Sequence, residues 1–208
     1  MKIIFFVDEK KISFFSKLLK IEKKDDLKEA KKELVKIENF WRQNEPFLEG
    51  LFLKLFNEEL TGEIKIFIFP NDFLIGASET VGQNILFGQP SRTTNFSLAI
   101  ITHEICHIIL SKNKNKRPII VDEIICLMLE DYIYSVLDKT LLSDVWKESE
   151  LDFFHLNAMK VAIAEISENG PIINRNINNL IDALSNKLSD NILNIKPPSG
   201  LINNLGIK

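Results

Sequence analysis

Cysteine is scarce in this chain: Cys106 and Cys126 are the only two in 208 residues. Two thiols cannot build a disulfide scaffold, and both sit in strongly apolar segments, the setting of buried free cysteine in a reducing compartment. Long hydrophobic runs are missing too. No stretch approaches about 18 uninterrupted apolar residues, so no membrane-spanning helix is expected. The N-terminal MKIIFFVDEKK has an apolar core of only five residues before Asp8, too short for a signal peptide. A cytoplasmic protein is the expectation. An excess of one charge is also lacking: the formal net charge is −3 and the pI about 5.7, which gives no electrostatic case for nucleic acid or an anionic membrane as partner. The one basic run, Lys112, Lys114, Lys116 and Arg117, is interleaved with Asn113 and Asn115 and reads as a solvated loop.

What the chain does have is apolar substance, with 45% hydrophobic and 26% charged residues. That supports a sizeable core and argues against wholesale disorder. The length fits a single domain. Residues 2–7 (KIIFFV) read as a short strand and 12–21 as a weakly amphipathic helix. Helical periodicity over 25–60, with Pro46 suited to a first turn, predicts two helices at 25–44 and 46–60. Strands are expected at 63–70 (EIKIFIFP, with Ile64, Ile66 and Ile68 on one face), 73–77 and 84–88, with SETVGQ as a hairpin loop. Helices follow at 95–111, 118–138, 143–168 and 176–190, the third stopped by Asn169-Gly170-Pro171, and the tail reads as irregular. The fold class is α+β: a small sheet among helices, with a helical region 1–60, a core 61–138 and a helical part 139–208 in one domain.

Within the helix 95–111 lies His103-Glu104-Ile105-Cys106-His107, which holds two of the three histidines in the protein. Residues four apart on a helix lie one turn above each other on the same face, so the two imidazoles can converge on one ion. Neutral imidazole nitrogen suits Zn²⁺. Glu104 lies about 100° round the helix from His103. It is displaced from the ligand face yet close enough to serve a water held there, the place of a general base. The flanks Leu98-Ala99-Ile100-Ile101 and Ile108-Ile109-Leu110 are apolar, so this helix is expected to be buried. Two histidines and a glutamate in such a helix cost several kcal/mol unless paired, and a shared metal supplies the pairing.

This H-E-x-x-H helix resembles that of the zincin metallopeptidases, and the element order over roughly residues 46–138 is similar. The resemblance implies a zinc-dependent hydrolysis of peptide bonds, with peptide or protein substrate bound along the edge strand of a small twisted sheet. Here that edge is expected at Asn84, Ile85, Leu86, Phe87 and Gly88. The metzincin branch needs Gly and His where this chain has Leu110 and Asn113, so it is excluded. The gluzincin branch takes a third ligand from a Glu on the next helix, and VDEIICLMLED looks similar at Glu123. It departs at Ile124, where Gly is usual, and at Leu127, where thermolysin-like members place the Asp that orients the first His. No partner for His103 is thereby identified.

Glu130 lies seven residues after Glu123 on the same face and cannot reach the same ion, being about 10 Å further along the axis. If the two helices pack antiparallel around SKNKNKR, His107 and Glu123 stand level and Glu130 falls opposite roughly residue 99. Glu123 is thus the expected third metal ligand beside His103 and His107, with Glu104 catalytic. Tyr132, Tyr134 and His155 are candidate donors to the oxyanion of the transition state. Alternatives stay open: a regulator-cleaving protease resembling the ImmA/IrrE group, a zinc-binding domain acting only through protein contacts, or a structural zinc site completed by Cys106.

Overall fold

A computed structural model describes residues 2–19, 26–57, 62–70, 78–88, 93–112, 117–148 and 151–198. Its strands are β1 (Lys2–Phe6), β2 (Glu63–Phe69), β3 (Ser78–Val81) and β4 (Asn84–Gly88). Its helices are α1 (Glu9–Leu19), α2 (Asp26–Phe56), α3 (Thr94–Lys112), α4 (Ile119–Leu137), α5 (Leu142–Val145), α6 (Phe153–Asn169), α7 (Ile177–Lys187) and α8 (Asp190–Leu193). The class is α+β. Among the described residues no helix is long and apolar enough to cross a membrane.

The strands form one sheet in the order β1-β2-β4-β3. β1, β2 and β4 are parallel neighbours, and β3 runs antiparallel to β4 at the edge. Parallel strands covered on both faces read as near-continuous apolar runs, and β2 and β4 follow that rule. Ile64, Ile66, Ile68, Ile85 and Phe87 face the main core, while Phe67, Phe69 and Leu86 join a second cluster with Ile12 of α1 and Ala30 of α2. The main cluster runs on through α3, α4, α6 and α7 as far as Leu184. α3 packs against α4, and α4 against α6. Helices apolar round their whole circumference must be covered on all sides, and the hairpin of α3 and α4 is the centre of the molecule.

Several expectations shift. Ser78–Val81 is a strand rather than a hairpin loop, because β-branched Thr80 and Val81 pair against β4. The turn shrinks to Gly82-Gln83, where Gly82 takes φ +62°, a conformation a two-residue hairpin turn asks of its first central position. The strand expected at 73–77 lies outside the described residues. β4 is hydrogen-bonded to β2 on one side and β3 on the other, so Asn84–Gly88 offers no free edge; among the described residues β3 is the edge strand on that side. The helix expected over 143–168 is broken. α5 ends at Val145, and α6 restarts where the Asp152 carboxylate accepts hydrogen bonds from the backbone N–H groups of Phe154 and His155, as an N-cap does. Arg117 is not a solvated charge: it donates to the Leu110 carbonyl at 2.8 Å and pairs with Asp122, closing the α3–α4 connection.

α2 also departs from expectation. It continues through Pro46 as one helix of 31 residues. The apolar stripe Ile37, Trp41, Leu48, Phe52, Leu55 runs straight past the proline, and its burial outweighs the missing bond to the Arg42 carbonyl. Pro46 itself is exposed, so its ring adds little packing. Pro46→Ala should therefore stabilise the fold by about 1–3 kcal/mol, read as a rise in the denaturation midpoint. A fall would mean that the helix is shaped around its proline.

Candidate metal centre

The seam between α3 and α4 is mostly apolar and is crossed by three polar pairs. His107 faces Glu123, His103 faces Glu130, and Asn95 bonds Asp138. In each pair one number rises as the other falls, so the helices run antiparallel. His103 Nε2 and His107 Nε2 are 3.1 Å apart, Glu123 Oε2 is 3.1 Å from His107 Nε2, and Glu123 Oε1 is 3.6 Å from His103 Nε2. A tetrahedral ion with bonds of about 2.0–2.1 Å holds its ligand atoms about 3.3 Å from one another. The three side chains thus present donor atoms at the spacing one metal ion requires.

Glu130 does something else. Its Oε2 lies 3.0 Å from His103 Nδ1, and its Oε1 accepts from the Trp146 indole N–H at 2.7 Å. A carboxylate on Nδ1 fixes the proton there and leaves the Nε2 lone pair free for a metal. This is the orienting partner that Leu127 could not supply. Levelling by residue count placed Glu130 opposite residue 99, but side chains lean toward their own helix N-terminus. In an antiparallel pair His103 and Glu130 therefore lean toward each other and meet.

Cys126 competes for the third position, since its Sγ and the ring nitrogens of His103 and His107 all lie within 4.8 Å of one another. Burial, and then the neighbouring Cys106, push its thiol well above the ordinary value. The Glu123 oxygens stand at 3.1 and 3.6 Å from the two imidazoles, which makes Glu123 the better-placed candidate for a third ligand. Burial depresses the His103 pKa, but Glu123 and Glu130 beside it carry it well above the usual imidazole value. Burial raises that of Glu123, and the two histidines carry it well below. The cluster is built to hold positive charge between the imidazoles and the carboxylate, as a proton or as a metal ion.

Two other candidate groups, Glu104 and His155, have defined partners. Glu104 is buried on the side of α3 that meets β3, with its carboxylate accepting from Ser78 Oγ at 2.6 Å and Thr80 Oγ1 at 2.5 Å. His155, on the first turn of α6, brings Nε2 to 4.0 Å from Glu123 Oε1 while Nδ1 bonds Asp152 Oδ2 at 2.6 Å. Burial would raise the Asp152 carboxyl, yet the bonds from His155 and the helix N-terminus hold it below its ordinary value. The tyrosines do not join. Tyr134 is fully buried against Phe96. Tyr132 lies nine residues after Glu123, half a turn round α4 from it. Sequence reasoning missed Glu130 as an orienter, along with Trp146, Asp152, Ser78 and Thr80. Only Glu130 left a trace, in its seven-residue spacing from Glu123.

The geometry sets an order of effects for metal affinity. His103→Ala, His107→Ala and Glu123→Ala should each abolish tight binding, measured by titration of zinc against a chromophoric chelator. Glu130→Gln should weaken it roughly 10- to 100-fold, the effect of losing an outer partner, and Cys126→Ser should leave it intact. Because a proton and the metal compete for His103 Nε2, affinity should fall as pH falls through and below the raised His103 pKa. A larger loss in Cys126→Ser than in Glu123→Ala would move the third ligand to sulfur.

No family model, curated protein or solved structure matches the chain, so the chemistry of these side chains is the ground on which its function is read.

Proposed function

We propose that the protein is a zinc-dependent metallopeptidase of gluzincin-like layout, with zinc held by His103, His107 and Glu123. The observation that carries this reading is the convergence of two imidazole nitrogens and a carboxylate at 3.1–3.6 Å, with Glu104 one residue outside the ligand face. Three protein ligands leave a fourth position for water or substrate, the pattern of catalytic rather than structural zinc. Held by His103, His107 and Glu123, a zinc ion would supply Lewis-acid chemistry: a more acidic water and a polarised carbonyl.

The remaining roles fall to the chain's own groups. Glu104 takes the proton of the attacking water and returns it to the departing amine nitrogen. His155, whose Nδ1–H is held by Asp152, has Nε2 on the cluster side and, as the imidazolium with a second N–H there, would donate to the developing oxyanion. Substrate lies extended along β3, the sheet edge next to α3, through main-chain hydrogen bonds. A substrate backbone read in this way sets few demands on side chains, so peptide or protein of varied sequence is the substrate class. The cytoplasmic setting and the absence of a nucleic-acid or membrane partner belong to the same proposal and rest on charge and composition.

The test is cleavage of a peptide library by zinc-loaded protein, with and without chelator. Activity should vanish with chelation and return with zinc. Glu104→Gln should retain zinc and lose about 100- to 10,000-fold in kcat. His155→Ala should lose roughly 100- to 1,000-fold in kcat with little change in KM. Full activity of Glu104→Gln would remove the base from the mechanism, and a zinc-loaded wild type that cleaves nothing would leave a zinc-binding domain.

A further inference from the structure

Ser78 and Thr80 are two residues apart on β3, so their side chains leave the same face of the strand. That face meets α3. Ser78 Oγ donates to Glu104 Oε1 and Thr80 Oγ1 to Glu104 Oε2, at 2.6 and 2.5 Å. Each carboxylate oxygen thus has its own hydroxyl, at the short distance typical of O–H bonds to an anion. A glutamate side chain has three rotatable bonds, and one gripped at both oxygens keeps a single orientation. Each oxygen carries two lone pairs, so one hydroxyl apiece leaves room to accept a proton from water.

The gripping strand is also the sheet edge. β3 is hydrogen-bonded to β4 on one side and, among the described residues, to no strand on the other. One strand of four residues therefore presents its main chain outward and its hydroxyls inward to Glu104. We propose that Ser78 and Thr80 are positioning residues for the base: they hold the Glu104 carboxylate in its reacting orientation and couple that orientation to the peptide bound along β3. The proposal rests on the metallopeptidase reading and adds to it two residues that the H-E-x-x-H pattern does not contain. A purely structural role, in which the hydroxyls only make a buried carboxylate tolerable, predicts lost stability with no selective effect on turnover.

The experiment uses zinc-loaded full-length protein and a fluorescence-quenched peptide chosen from the library members that the wild type cleaves. Ser78→Ala/Thr80→Val should keep wild-type zinc content and lose roughly 10- to 100-fold in kcat, with KM within about twofold. Thr80→Ser, which restores the hydroxyl, should stay near wild type. Thr80→Val keeps the side-chain shape, so the comparison of these two single variants holds even if the double variant does not fold. In a Glu104→Gln background the double substitution should remove nothing further, because the group it positions is gone. Wild-type kcat in Thr80→Val and in the double variant, or an equal loss added on top of Glu104→Gln, would overturn the positioning role. A wild type that cleaves no library member overturns the metallopeptidase reading first and this role with it.

Discussion

Everything in this molecule that bears on function depends on placing charge inside the seam of two apolar helices. His103, Glu123 and Glu130 are all buried between α3 and α4, with His107 at the rim. Desolvating several ionisable groups costs several kcal/mol for each ion, recovered only when each finds a partner of good geometry. Every one of these side chains has such a partner: Glu130 on His103 Nδ1, Trp146 on Glu130, and Glu123 against both Nε2 atoms. Positive charge among the two imidazoles and Glu123 completes the pairing, and on the proposed reading a metal ion would supply it with the donor atoms where they stand.

The arrangement also explains the distribution of the surrounding helices. α6 packs on α4, and its first turn brings His155, bonded to Asp152, to 4.0 Å from Glu123. The break between α5 and α6 sends Trp146 inward onto Glu130. On the other flank the sheet delivers β3 to Glu104. The candidate site therefore draws on α3, α4, α6 and one strand, which is why a core that is continuous from Ile3 to Leu184 matters to it.

How much of this was legible in the sequence follows the range of the physics. The i, i+4 histidines and the glutamate between them are encoded within one helix turn, so the motif could be read directly. Glu123 could be chosen over Glu130 because the short loop fixes the level of two antiparallel helices. Glu130 as orienter depends on the lean of side chains across the interface, which residue counting leaves out. Ser78 and Thr80 were hidden differently: SETV looks like a polar loop, and its strand character comes from pairing with β4, a tertiary contact. The long α2 was misread because Pro46 is a local signal, overridden by an apolar stripe that spans both sides of it.

On the proposed reading two histidines and a carboxylate, with no sulfur, hold a zinc ion that keeps one position open. X-ray absorption at the zinc edge of the purified protein tests it most directly. The expected result is one zinc per chain with only nitrogen and oxygen neighbours, at about 2.0–2.1 Å, one of them exchangeable solvent. A sulfur neighbour at about 2.3 Å would place Cys126 in the shell and close the site, and protein that takes up no zinc would contradict the account outright.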